Sequence, residues 1–266
     1  MKNQYFGDIN DYKKYSLLRL LSGQGQIETA VCWALTEDDD RTDGKRIRYL
    51  ERPERWQRYD PIVYEHLRES VLRKGVRDVN SIERSNILRN CRFYNVLIRD
   101  DINLRDQYFK RFFKFAEDAD LVFFDPDNGL EVKSVPRGKK SSSKYMYWDE
   151  IKASYLAGHS LMIYQHFPRS PREPFLRNLV DKFNEFVRAS QVFSYCTVHV
   201  AFLVIPQPHH EKMFIEHNSI VSEMWGEVIK IRMHKIARPV SKYLRDLREI
   251  GEWSRGGMHG FRREEA

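Results

Sequence analysis

Cysteine is scarce in this 266-residue chain, where Cys32, Cys91 and Cys196 stand far apart. An odd number of isolated cysteines disfavours a disulfide framework or a cysteine-rich zinc site, so we expect a protein of the reducing cytoplasm. No apolar run reaches the roughly 18 residues that a membrane helix needs. Residues 1–5 also lack the apolar core of a signal peptide. The sequence therefore predicts a protein without a membrane partner.

Charge of both signs is plentiful, with 45 Lys and Arg against 38 Asp and Glu, a net charge of +7. Basic residues recur beside aromatic ones in residues 46–49, 52–58 and 110–114. Positive charge mixed with flat side chains suits phosphate contacts and base stacking, which predicts a nucleic-acid or nucleotide partner. The same pattern is also found on solvated surfaces where Lys and Arg stems cover aromatic edges.

Apolar runs of strand length alternate with helical patterns along most of the chain. Continuous apolar runs are typical of strands covered on both faces, so we expect a three-layer, Rossmann-like α/β fold with a mostly parallel sheet. The predicted strands are residues 29–35, 93–98, 120–125, 160–166, 193–205 and 227–236. They form one domain over residues 1–239, with a helical insertion after the first strand at about 52–90, helical at 60–75 and 81–90. Residues 240–266 are expected to add a short helix, at 241–250, and a basic tail.

The polar run Asp125-Pro126-Asp127-Asn128 directly follows an apolar strand. In open α/β sheets, ligands bind outside the carboxyl ends of the strands. Asp-Pro and Asn-Gly are also favoured turn residues, which accounts for Asn128 well. A turn accounts less well for Asp125, because an unpaired carboxylate is costly to bury. We therefore predict a polar centre at Asp125 and Asp127, with Asn128 as a binding residue.

A second predicted strand ends at His166, with Arg169 shortly after it. This order predicts an imidazole and a guanidinium at the same sheet edge as Asp125. Histidine transfers protons near neutral pH, and arginine holds phosphate. A purely structural histidine remains the alternative for His166, and His199 is expected in the core of the strand over 193–205.

Two further clusters are candidates for ligand binding. Asp8 is expected to cap the first helix, and Asp11 and Lys14 in its first turns are candidate binding residues. Lys139, Lys140 and Lys144 lie in a Gly- and Ser-containing basic stretch, which predicts either a phosphate-contacting loop or a linker.

The strand ending in Asp125-Pro126-Asp127 resembles the Asp-Pro-Pro-Tyr type of motif in class I methyltransferases that act on amino groups of nucleic acids. The order of strands and helices after it also resembles that fold. The resemblance covers roughly residues 90–236 and implies contact of Asp125, Pro126 and Asp127 with a target amino group, and S-adenosylmethionine as cofactor. The Gly-rich loop of that family is absent, since the first strand ends in Trp-Ala-Leu-Thr.

A rival hypothesis places a metal at the same acids. Glu131-Val132-Lys133 has the Glu-x-Lys form of the PD-(D/E)xK nucleases, and Asp125, Asp127 and Glu131 would hold Mg²⁺ while Lys133 orients water. The sequence is therefore compatible with three functions. They are a methyltransferase-like enzyme acting on nucleic acid or a nucleotide, a metal-dependent nuclease or phosphoesterase, and a non-catalytic nucleic-acid-binding protein.

Overall fold

A computed structural model gives the structure of residues 1–236. The helix expected at 241–250 and the basic tail lie outside the described residues. The described α-helices are α1 (Ile9–Leu21), α2 (Pro53–Trp56), α3 (Pro61–Arg68), α4 (Asn80–Glu83), α5 (Ile102–Phe115), α6 (Trp148–Leu156), α7 (Arg172–Val187) and α8 (Glu211–Trp225). The strands are β1 (Thr29–Cys32), β2 (Cys91–Tyr94), β3 (Leu121–Phe124), β4 (Gly129–Leu130), β5 (Tyr145–Met146), β6 (Ser160–His166), β7 (Gln191–Cys196), β8 (Val200–Ile205) and β9 (Lys230–Lys235). Single turns of 3₁₀-helix and one π-helical turn (Glu69–Arg73) lie between them.

Seven strands form one sheet in the order β2-β1-β3-β6-β8-β7-β9. The pairs from β2 to β6 are parallel, whereas β8 and β9 run against their neighbours. Five of the seven strands therefore point the same way, and the predicted α/β, mostly parallel architecture is confirmed.

Both faces of the sheet are covered, because alternate residues of each central strand enter different cores. Leu121 and Phe123 pack with α1, α3 and α8 on one face. Val122 and Phe124 pack with α5, α6 and α7 on the other. The continuous apolar run of β3 is what burial on both faces requires, since successive side chains point to opposite sides.

The predicted pairing at the centre of the sheet is confirmed. Strand β3 lies parallel to β6, with Leu121 opposite Ser160 and Phe124 opposite Ile163. Asp125, directly after β3, and His166, the last residue of β6, therefore lie at the same edge of the sheet. The helices α2, α3 and α4 lie between β1 and β2, where the helical insertion was expected.

Two expectations about local structure are wrong. The single strand over 193–205 is a hairpin of β7 and β8, because Thr197 makes a turn in which its hydroxyl accepts hydrogen bonds from the amides of His199 and Val200. The helix expected over 81–90 ends at Glu83, after which the chain continues in turns to β2.

The loop after β3 is fastened to β6 by one buried side chain. The Gln165 amide oxygen accepts from Leu130 N at 2.8 Å, and its amide nitrogen donates to the carbonyls of Asn128 and His166 at 3.3 and 2.7 Å. Gly129 passes over this amide with φ +118°, and a Cβ there would lie 2.5 Å from Gln165. The short parallel pair β4–β5, which the sequence did not predict, completes the support of the loop.

We predict that Gly129→Ala destabilises the fold more than Gly158→Ala does. Gly158 also has a positive φ, +101°, but nothing lies near its Cβ position, so its variant carries backbone strain of about 1–2 kcal/mol alone. Gly129→Ala adds the loss of buried Gln165 hydrogen bonds, about 1–3 kcal/mol more. Urea unfolding of both variants measures the difference, and equal losses would contradict the role given to Gln165.

Candidate functional site

A buried lysine joins two carboxylates at the carboxyl edge of the sheet. Lys14 Nζ lies 2.7 Å from Asp11 Oδ1 and 2.7 Å from Asp125 Oδ2, and all three side chains are at most 3% exposed. Asp125 comes directly after β3, and the other two lie on consecutive turns of α1. The carboxylate that the sequence leaves unexplained therefore has its counterion on a helix 111 residues earlier in the chain.

Burial and mutual attraction act in opposite directions within this cluster. Burial raises the pKa of Asp11 to about 6, although the ammonium group of Lys14 partly offsets the increase. Burial alone would lower the pKa of Lys14, but the two carboxylates outweigh it and raise that pKa above its usual value. The cluster thus contains a carboxyl group that titrates near neutral pH, as proton-transfer groups in enzymes do.

Asp127 has its own cationic partner. Its Oδ1 lies 2.8 Å from the α-amino group of Met1, and its Oδ2 accepts from the Thr36 hydroxyl at 2.8 Å. Burial would raise the pKa of Asp127, but the amino group and the hydroxyl outweigh it and hold that pKa below its usual value. Asp127 is therefore a fixed carboxylate anion at neutral pH.

These groups line a cavity of about 600 Å³, a size typical of small-molecule sites. Its buried inner part contains the carboxylates of Asp11, Asp125 and Asp127 together with their cationic partners, Lys14 and the amino group of Met1. Its outer part is formed by a loop and two strand ends that bring mostly basic groups, namely Lys45, Arg46, His166 and His199. Tyr5, Asp8, Asn10, Thr42, Asp43, Asn128 and Tyr164 complete most of the remaining wall.

Asp8 positions the basic part of this wall as well as the helix. Its carboxylate caps α1 by accepting from Asn10 N at 3.0 Å, as predicted. It also accepts from the Arg46 amide at 3.1 Å and from the Arg46 guanidinium at 3.3 Å. The cap therefore holds the loop of residues 42–46 against the cavity.

A second cavity of about 510 Å³ shares His166 and His199 with the first. Burial and the positive charge of Arg46 lower the pKa of both histidines, so both are neutral at pH 7. A neutral imidazole accepts a proton, and it becomes a cation beside a bound anion. Arg169, predicted as a phosphate-binding residue, lines the second cavity rather than the first.

The structure brings most of the predicted residues together at the first cavity but leaves six outside it, namely Arg169, Glu131, Lys133 and the three lysines of the basic stretch. Asp8, Asp11, Lys14, Asp125, Asp127, Asn128 and His166 all line the first cavity. Lys139, Lys140 and Lys144 line neither cavity. The Glu131 carboxylate accepts from the amide of Trp148 at the start of α6. Among residues 1–236, no three His, Cys, Asp or Glu side chains form a group that could hold a metal ion.

Sequence reasoning missed several residues of the cavity wall. His199 was expected in the core, yet it is exposed in the β7–β8 turn, which removes it from any strand. A signal was present, since Thr197 and His199 interrupt the apolar run. Arg46 belonged to a predicted basic stretch without an assigned site. Tyr164, and Thr36 as a hydrogen-bond partner of Asp127, gave no signal, because nothing in their local sequence distinguishes them from core or turn residues.

The residues after β1 do not fit S-adenosylmethionine. The crevice between β1 and β3 is where the strand order reverses, and ligands of such sheets bind there. Here Met1 fills it: its amino group donates to the carbonyls of Ala34 and Asp125, and its own carbonyl accepts from Thr36 N. Ala34, with φ +45°, replaces a glycine-rich turn. Two carboxylates of the predicted Mg²⁺ site already have cationic partners, since Asp125 pairs with the ammonium of Lys14 and Asp127 with the amino group of Met1.

Comparison with known proteins adds little. No protein-family model matches the chain, and no curated protein matches it. One solved structure that resembles it is protein LPL1258 from Legionella pneumophila strain Philadelphia 1, described under the family model DUF519. The two share 12% identity with a TM-score of 0.46, over 87% of this chain and 98% of the other. A likeness of this degree carries no argument about what this chain does. In the described part of the chain, no helix is both long and apolar enough to cross a bilayer.

We predict opposite effects for two adjacent lysines of α1. Lys14→Met leaves Asp11 and Asp125 buried without a cation and should destabilise the protein by about 3–5 kcal/mol at pH 7. Lys13→Met is the matched control, because Lys13 is buried, makes no ion pair within residues 1–236, and has a pKa lowered by burial to about 8. The Lys13→Met variant should be as stable as the unchanged protein or more stable.

The loss in Lys14→Met should shrink at low pH. A carboxyl group whose pKa is higher in the folded state than in the unfolded state stabilises the fold at pH below its unfolded-state pKa. This stabilisation is lost as the pH rises through its folded-state pKa. The pKa of Asp11 is already about 6 with Lys14 present, so the variant regains stability as pH falls from 7 to 5. Urea unfolding at both pH values measures this, and a pH-independent loss would contradict the ionic role of Lys14.

Proposed function

We propose that this protein is an enzyme that acts on a nucleotide unit, free or within a nucleic acid, through a polar centre at Asp125 and Asp127. The observation that carries the proposal is the arrangement of charge in the first cavity. Three buried carboxylates and their two cationic partners lie at its inner end, and the exposed side chains of Lys45, Arg46 and two histidines lie at its outer end.

A nucleotide matches this arrangement at both ends. The amino groups of nucleobases donate hydrogen bonds, which the inner carboxylates accept. Phosphate is anionic and suits arginine, lysine and protonated histidine at the outer end. Tyr5 supplies a partly exposed aromatic ring in the cavity wall, where a base can stack.

The fold supports the same proposal. The cavity lies at the carboxyl edge of parallel strands, where open α/β sheets bind ligands. The Asp-Pro-Asp sequence after β3, and the hairpin whose strand β8 runs antiparallel beside β6, resemble class I methyltransferases. The reaction proposed here is proton transfer at a base amino group or at a group attached to it. Asp11 suits this role, because it lies at the inner end of the cavity and burial raises its pKa to about 6.

The proposal predicts a preference for bases that carry an amino group. Isothermal titration with AMP and with purine riboside 5′-monophosphate, which differ only in that group, measures the preference directly. We expect AMP to bind about tenfold more tightly, since one hydrogen bond to a charged group contributes about 1.5 kcal/mol. Asp125→Asn keeps the size of the side chain and should remove most of the preference.

Lys139→Ala with Lys140→Ala is the control, because these exposed lysines line neither cavity. This double variant should bind AMP like the unchanged protein. Absence of AMP binding, or equal binding of the two nucleotides, would contradict the proposal. Titrations of the unchanged protein with S-adenosylmethionine and with Mg²⁺ test the two cofactors that the sequence predicted, and Mg²⁺-dependent cleavage of RNA or DNA would favour the nuclease hypothesis instead.

A further inference from the structure

We infer that the second cavity holds the neighbouring phosphodiester of a single-stranded nucleic acid whose nucleotide occupies the first cavity. This inference rests on the proposed function and narrows its substrate class from any nucleotide to a polynucleotide. It depends on three features of the described residues: the adjacency of the two cavities, the change of charge between them, and the apolar surface of the second.

The two cavities are adjacent and share a pair of histidines in their linings. His166 ends β6, and His199 lies in the turn that precedes β8, so both stand at the end of the β6–β8 pair. The amide of Phe167 donates to the carbonyl of His199 at 3.0 Å, which fixes the two segments to each other. A chain that leaves the first cavity past these imidazoles enters the second.

The charge of the lining changes sign along this path. The first cavity is lined by five aspartates and four cationic groups, namely Asp8, Asp11, Asp43, Asp125 and Asp127 with the Met1 amino group, Lys14, Lys45 and Arg46. The lining of the second, as far as residues 1–236 describe it, contains no acidic side chain. It contains Arg169 and Arg172 besides the two histidines. In the proposed function the phosphate of a mononucleotide lies at Lys45 and Arg46, so the two arginines of the second cavity suit a ligand with additional negative charge.

The second cavity also offers apolar surface suited to sugar and base. Phe167, Pro168, Pro171 and Val198 line it, and the side chain of Val198 is 62% exposed. The Arg172 guanidinium lies 5.2 Å from the centre of the Phe167 ring and donates to the Val198 carbonyl. Arg172 is therefore held in place by its own contacts, while exposed Arg169 makes no ion pair within the described residues. Mixed cationic and flat apolar groups are typical of single-strand binding surfaces.

Competition binding with unlabelled ligands tests this inference. The probe is fluorescein-labelled hexa-adenylate, as RNA and as DNA, and the competitors are the unlabelled hexamers and AMP or dAMP. We expect the hexamers to bind at least about tenfold more tightly than the monomers, because each added phosphate contact is a charge-assisted hydrogen bond. The RNA and DNA arms show which sugar the site accepts.

Arg169→Ala should weaken hexamer binding about 5–10-fold and make the salt dependence shallower by about 0.7 in slope, the value for one phosphate contact with a single strand. Its effect on AMP should stay below about twofold. Arg169→Lys should restore most of the hexamer affinity, since it keeps the charge. Arg177→Ala is the matched control, because this exposed arginine lies on α7 and lines neither cavity.

The possible outcomes separate the two proposals. Binding of AMP together with hexamers no tighter than AMP overturns the polynucleotide inference and leaves the proposed function standing. Equal weakening of AMP and hexamer by Arg169→Ala, or no weakening of either, also overturns it. Failure of the unchanged protein to bind either ligand overturns the proposed function itself.

Discussion

The buried ion cluster of Lys14 with Asp11 and Asp125 is the constraint on which the site depends. Three charged groups buried away from solvent must stay within hydrogen-bonding distance of one another. A displacement that separates them leaves a carboxylate or an ammonium group buried and unpaired. The cluster therefore fixes α1 against the end of β3. Asp8, at the start of the same helix, then holds Arg46, so one interaction sets the position of both ends of the first cavity.

The charge of this surface is graded rather than simply basic. The net charge of +7 gives little information about where a ligand binds, since Lys139 and Lys140 lie apart from both cavities. Carboxylates at the inner end attract hydrogen-bond donors, and the arginines and histidines further out attract anions. A ligand with donors at one end and phosphate at the other is oriented by this gradient before any contact is complete.

The sequence predicted the layers, the central strand pair and the placement of Asp125 and His166 at one edge, because a strand buried on both faces must be continuously apolar. It did not predict that Lys14 neutralises Asp125. That pairing depends on how α1 packs against a strand more than 100 residues later in the sequence. His199 was misassigned because alternation of apolar residues continues through the β7–β8 turn. Tyr164 in the cavity wall and Thr36 beside Asp127 were missed because long-range packing alone brings them to the site.

The separation of Lys14 from Asp125 in the chain has a consequence for biosynthesis. At translation speeds of about 5–20 residues per second, 111 residues correspond to roughly 5–20 s between the emergence of the helix and that of its second counterion. During that interval Lys14 has only Asp11 as a partner, and its helix lacks the strand on which it packs. Such long-range contacts also slow folding, because the intervening loop must close before they form. The nascent amino-terminal segment therefore lacks its packing partner until the third strand has been made.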